Sequence, residues 1–153
     1  MGVEGYLLAT TLRSIIAQRL VRKNCEKCSQ DYVPDAFEST WLRDQLHVDS
    51  HEYQYKKGKG CLHCGFTGYQ GRMGVYELLE MNSELAETLR RDDTQGFVDA
   101  AQRAPGYLPL VEVAHDYAVK GLISIDEVLR LAGQSRDELL EETVLELELE
   151  EEA

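Results

Sequence analysis

Two pairs of cysteines with the same two-residue gap constrain this chain more than any other feature. They are Cys25-Glu26-Lys27-Cys28 and Cys61-Leu62-His63-Cys64, and together they hold all four cysteines of the 153 residues. A two-residue gap lets two thiolates of one tight turn point at a common ion. Two such turns complete a tetrahedron, with sulfur about 2.3 Å from a zinc ion. Zinc held by Cys25, Cys28, Cys61 and Cys64 is therefore the leading assignment. A four-sulfur site closes the coordination sphere, so its expected role is structural rather than catalytic. Iron on the same four thiolates, a dithiol redox pair and four simply buried cysteines are the competing readings. His63 sits inside the second pair and is expected to be exposed rather than a ligand. The pairs are separated by 32 residues, more than the roughly 15–20 of a common zinc ribbon. The spacer must therefore carry structure of its own.

Apolar periodicity supplies the remaining elements. Leu8, Leu12, Ile15, Ile16 and Leu20 recur at three- and four-residue steps, which predicts a helix from Tyr6 to Arg22. Pro34 and a capping Asp35 open a second helix to His47, with Phe37, Trp41, Leu42 and Leu46 on its apolar face. Residues 65–74 contain four glycines, a density that means tight turns and close backbone approach. Val75–Leu79 reads as a short strand. Helices are expected from Asn82 or Ser83 to Arg91, from Thr94 to Arg103 and from Pro109 to near Gly121, the last with Val113 and Tyr117 inward. Ser124-Ile125-Asp126-Glu127 has the form of a capping box. The predicted fold class is α+β and mostly α: a small tetracysteine module with short strands, then a helical bundle, then an acidic and disordered tail. The boundaries are 1–24, 25–80, 81–134 and 135–153. Trp41, Phe37 and Tyr69 are taken as core aromatics, Arg72 as an ion-pair partner of Glu77, and His115 is assigned no chemistry.

Charge narrows the function classes. Of the net −12, the last nineteen residues contribute nine carboxylates and one Arg. The body is nearly balanced, whereas coating nucleic acid needs a clustered positive surface. A zinc-ribbon nucleic-acid module and a Cys-x-x-Cys oxidoreductase remain as alternatives. No run is apolar enough to span a bilayer and no signal peptide opens the chain, so a cytoplasmic location is expected.

The run Cys61-Leu62-His63-Cys64-Gly65-Phe66-Thr67-Gly68-Tyr69-Gln70-Gly71-Arg72-Met73-Gly74-Val75-Tyr76-Glu77-Leu78 resembles a signature of the type II secretion and type IV pilus assembly ATPases, MSHA-type pilus members included. Gly2-Val3-Glu4 and Ala17–Arg22 ahead of Cys25 and Cys28 are similar to that family's approach to its metal-binding subdomain. Asp126-Glu127-Val128 falls where the family has its C-terminal helical region. The resemblance covers roughly residues 2–134. It implies a cytoplasmic hexameric motor docked on an inner-membrane platform, with ATP and Mg2+ bound elsewhere in the full-length protein. Its partners would be the remainder of the ATPase, neighbouring subunits and platform proteins, with no nucleic acid. No Gly-x-x-x-x-Gly-Lys-Ser/Thr phosphate loop is present, and that loop's amides and lysine are what hold phosphates. The piece alone is accordingly expected to have no catalytic or nucleotide-binding residues of its own. Only the four cysteines carry over, as zinc ligands.

Overall fold

The computed structural model describes residues 4–133; the acidic tail lies outside the described residues. In chain order the elements are α1 (Gly5–Thr11), β1 (Ser14–Asn24), β2 (Ser29–Tyr32), α2 (Ala36–Leu46), β3 (Tyr55–Gly58), β4 (Tyr69–Glu80), α3 (Ser83–Arg90), α4 (Thr94–Gln102), α5 (Leu110–Val119) and α6 (Ile125–Leu131). β1 pairs with β4 in one two-stranded sheet and β2 with β3 in another. The fold is α+β with short strands, as the sequence predicts.

The chain divides into two compact units, and the division passes through β1 and β4. One unit holds α1, α3 and α4 with the beginning of β1 and the end of β4. Its core is Leu79, Leu85, Ala100 and Ala101, with Met81, Phe97, Ala104 and Tyr107 packed around them. Asn82 caps α3 by accepting from the Leu85 N–H, and Asp93 caps α4 by accepting from the Gly96 N–H. Each cap satisfies one of the N–H groups that a helix start leaves orphaned. Glu77 accepts from the Tyr107 hydroxyl at 2.9 Å and from the Leu110 N–H at 2.9 Å. The carboxylate assigned to Arg72 is therefore spent on the loop ahead of α5, and the expected ion pair is not formed.

The other unit holds residues 19–75 and the described chain from Val111 onward. Val21, Leu42, Tyr55, Val75, Ala114, Ala118, Ile123, Ile125 and Val128 are almost wholly buried there. β2 and β3 are antiparallel, with Ser29 opposite Gly58 and Tyr32 opposite Tyr55. α2 and a single 3-10 turn at Ser50–Glu52 lie between them, so the long spacer does carry a small structure. Asp35 accepts from the Glu38 N–H, and Glu38 returns a bond to the Asp35 N–H at 2.9 Å. The Tyr32 hydroxyl donates to the same Glu38 carboxylate at 2.8 Å. Asp35→Ala is expected to cost about 1 kcal/mol in a urea melt, since the residue satisfies only one of these donors. Trp41 and Leu42 are buried as anticipated, whereas Phe37 is 36% exposed: it sits in the first turn, beside Glu38, which faces inward.

Two further sequence expectations fail for identifiable reasons. The predicted helix Tyr6–Arg22 ends at Thr11, and the chain continues as β1. Ile15, Ile16 and Val21 are β-branched and fit a pleated surface better than a helix. The partner strand lies some fifty residues downstream, beyond the reach of local periodicity. Ser124 occupies the N-cap position of α6 but makes no capping bond. Its hydroxyl is 2.9 Å from the Tyr69 hydroxyl. Glu127, the other half of the supposed box, is fully buried. It accepts from the Arg22 backbone N–H at 2.6 Å, from the Arg22 Nε at 2.8 Å and from the Arg130 Nη2 at 2.8 Å. Charge-assisted bonds outcompete a neutral cap.

Candidate metal centre

The two cysteine turns are built alike. In the first, the Cys28 and Ser29 N–H groups donate to the Cys25 carbonyl at 3.2 and 2.8 Å; in the second, Cys64 and Phe66 donate to the Cys61 carbonyl at 3.2 and 2.8 Å. The first joins the end of β1 to the start of β2, and the second is the 3-10 turn Leu62–Cys64, which ends on Gly65 at φ 60°. A left-handed residue there turns the chain back without cost to a side chain, which is why a glycine follows the last cysteine.

Backbone bonds bring the turns together. The Cys25 N–H donates to the Gly68 carbonyl at 2.9 Å, and the Lys59 N–H donates to the Cys28 carbonyl at 3.1 Å. Gly58 and Gly68 lie against each other so closely that a Cβ on either would strike the other's backbone carbonyl. The glycine-rich run therefore serves backbone approach within the module.

The four sulfurs all lie within 4.8 Å of one another. Cys25 Sγ is 3.9 Å from Cys61 Sγ, Cys28 Sγ is 3.8 Å from Cys64 Sγ, and Cys61 Sγ is 3.7 Å from Cys64 Sγ. A tetrahedron with metal–sulfur bonds of about 2.3 Å has edges of about 3.8 Å, so these separations fit one four-coordinate ion. None of the four is in a disulfide; three are buried and Cys61 is half-buried. The Cys61 and Gly68 N–H groups point at Cys64 Sγ, at 3.2 and 3.3 Å. Burial pushes the Cys28 thiol up. At Cys64 burial acts in the same sense, but the two N–H donors outweigh it and bring that thiol down. A site that stabilises negative sulfur while burying it is built for thiolates that are neutralised by a cation. Four converging sulfurs also disfavour a dithiol redox pair, which needs only two and is activated at a helix N-terminus. His63 is exposed and stands outside the cluster.

This sulfur geometry, continuous with the Thr67–Leu78 run, coincides with a family match. The chain matches the family described as Type II/IV secretion system protein over residues 1–130. It belongs to that family. This member is 32% identical over 88% of its length to the Type II secretion system protein E of Klebsiella pneumoniae, of which it covers 26%. It is 33% identical over 84% of its length to the Type IV pilus assembly ATPase PilB of Thermus thermophilus, covering 14% of it. It is 36% identical over 86% of its length to the Type II secretion system protein E of Xanthomonas campestris, covering 23%. The secretion-family chain thus spans about a quarter or less of these curated relatives. Among its described residues no helix is long and apolar enough to cross a membrane.

Sequence reasoning missed several groups that hold this secretion-family module together. Buried Asn24 donates through Nδ2 to the Lys56 carbonyl at 2.9 Å and the Gly121 carbonyl at 3.1 Å, so one side chain clasps β1, β3 and the end of α5. The Tyr55 hydroxyl meets Nε2 of buried His115 at 2.9 Å. Burial holds the His115 imidazole below its ordinary value. Lys57 pairs with Asp126 at 2.7 Å, and the Arg22 guanidinium stacks on the Tyr69 ring at 4.1 Å. A polar residue inside a strand, and a histidine on an otherwise apolar helix face, were the signals available.

Proposed function

We propose that this chain is the zinc-stabilised C-terminal region of an ATPase that powers type II secretion or type IV pilus assembly. The observation that carries the reading is the set of sulfur separations that match a four-thiolate zinc tetrahedron, in a chain that belongs to the secretion family. Cys25, Cys28, Cys61 and Cys64 would hold the ion, whose chemistry there is to cross-link two turns that no disulfide joins. The role within the motor is structural, and nucleotide is bound and hydrolysed by the remainder of the ATPase, on the cytoplasmic side of the inner membrane. The names of the relatives support this, as does the lack of a phosphate loop in the sequence.

Contacts with the remainder of the ATPase, with neighbouring subunits of a hexamer and with a membrane platform complete the proposal. What supports the first of these is a group of uncovered apolar side chains on α1 and the start of β1. Tyr6 is 55% exposed and Ile16 65%, and Leu7 and Ile15 are also bare. Exposed apolar side chains of this kind are available to pack on another part of the protein.

The test is metal stoichiometry on the chain purified without added metal, combined with thiol titration. One zinc per chain, with four reactive thiols appearing only after chelation and denaturation, is the expected result. A metal-free chain whose thiols react at once, or pair into a disulfide, would remove the zinc assignment.

A further inference from the structure

The second cysteine turn carries two apolar side chains that take no part in holding the module together. Leu62 is 86% exposed and Phe66 70%. Phe66 also sits at φ 63°, in the left-handed region that a bulky side chain seldom enters. The bond from its N–H to the Cys61 carbonyl, at 2.8 Å, holds it there. Strain kept by the surrounding structure is a pointer to use. Open space surrounds the turn: a Cβ on the neighbouring Gly65 would meet nothing within 4 Å. Residues 60–67 contain no Lys, Arg, Asp or Glu, and the cation just ahead of them is Lys59. Lys59 is exposed, and its ammonium has no ion-pair partner among the described residues.

A groove of the opposite character lies in the unit that holds α1, α3 and α4. It is open, measures about 240 Å³ and is lined by Leu8, Leu89, Thr94 and Phe97 together with Asp92 and Asp93. A cavity of about 150 Å³ accommodates benzene, so this one has room for a phenyl ring. Its charged lining residues are both acidic and both exposed. Arg90 and Arg91, which precede them, are engaged by Glu87 at 3.2 and 2.8 Å. The Asp92 carboxylate has no ion-pair partner among the described residues. Two carboxylates beside an apolar groove repel phosphate, which argues against a lipid headgroup or nucleic acid as occupant. They suit an apolar side chain that arrives beside a cation, which is what the Lys59–Phe66 turn of this same sequence offers.

We propose that the groove of one copy of this chain receives the second cysteine turn of another. The Phe66 ring enters between Leu8, Leu89 and Phe97, and Lys59 faces Asp92 and Asp93. Turn and groove are different surfaces of the chain, so the contact is head-to-tail and repeats from copy to copy. One aromatic anchor in one groove covers well under the roughly 1,200 Å² of a standard interface, so the association is weak. This inference stands or falls separately from the motor role.

Sedimentation equilibrium of the full chain with its metal tests it. Between about 10 μM and 1 mM the average mass is expected to rise above that of a single chain. Phe66→Asn removes the ring while keeping a residue that tolerates positive φ, and is expected to weaken association about tenfold or more. Thr94→Arg, which puts a cation into the groove, is expected to do the same. A mixture of the two variants regains one intact contact, so it is expected to form a particle of two chains and nothing larger. Should Thr94→Arg fail to fold by circular dichroism, Phe66→Asn against the unmodified chain decides alone. A chain that stays single at about 1 mM would overturn the proposal. So would association that Phe66→Asn leaves unchanged, or a mixture of folded variants no heavier than either alone.

Discussion

Cys64→Ser is expected to release the metal and unfold the unit formed by residues 19–75 and the segment from Val111 onward. The apparent free energy with which small structural sites hold zinc is about 10–16 kcal/mol near neutral pH. The whole stability of a domain is only about 5–15 kcal/mol. Removing one thiolate leaves three sulfurs drawn together around an incomplete site, with Cys28 buried and nothing to offset its desolvation. Trp41, the one tryptophan in the sequence, is 8% exposed and belongs to the same unit. Its fluorescence is therefore expected to shift to the red in Cys64→Ser at 25 °C, and in the unmodified chain after a strong chelator. Emission unchanged by either treatment would mean that the fold stands without the ion.

Glu127→Ala carries the second large effect, about 1–3 kcal/mol, because it removes the acceptor of the Arg22 N–H and the buried carboxylate shared by two half-exposed arginines at once. Glu127 is the hinge pin of the β1–α6 joint: one carboxylate accepts from a strand backbone and from guanidinium groups on both elements. Burial by itself would raise this carboxyl, but the bonds from Arg130 and Arg22 outweigh it and hold the group below its ordinary value of 4.5. A carboxylate depressed in the folded state contributes stability that is complete above its unfolded value and is lost as pH falls through its folded value. The unmodified chain should thus lose stability on acidification below about pH 4.5, and Glu127→Gln, already destabilised at neutral pH, should show a flatter profile there. Glu38 has the opposite sign: burial raises its carboxyl despite the bonds from Asp35 and Tyr32. Its protonation favours the folded state and offsets part of the acid loss. A pH series of urea midpoints for the unmodified chain, Glu127→Gln and Glu38→Gln separates the contributions; equal midpoints for Glu127→Gln and the unmodified chain would refute the role given to this residue.

What could be read from the sequence were features whose causes are local. The cysteine spacing, the cap at Asp35 and the glycines around Cys64 all act within a few residues, and each is found where the pattern places it. The sulfurs do converge, across 32 intervening residues, because equal spacings announced two matching halves of one site. Features with distant causes were hidden. β1 carries a helix-like apolar period because Ile16 and Leu20 face outward, uncovered, and only β4 makes it a strand. Ser124-x-x-Glu127 satisfies the pattern of a capping box, yet Glu127 turns to Arg22, which lies 105 positions away. The pairing of Asn24 with Lys56 and Gly121, and of Tyr55 with His115, depends in the same way on the fold being complete. The acidic tail was legible only as composition.

X-ray absorption at the zinc edge of the purified chain tests the central claim most directly. The account predicts one zinc per chain with a first shell of four sulfurs at about 2.3 Å and no nitrogen or oxygen. A shell containing nitrogen or oxygen, or zinc present in only a small fraction of chains after refolding with the metal, would contradict it.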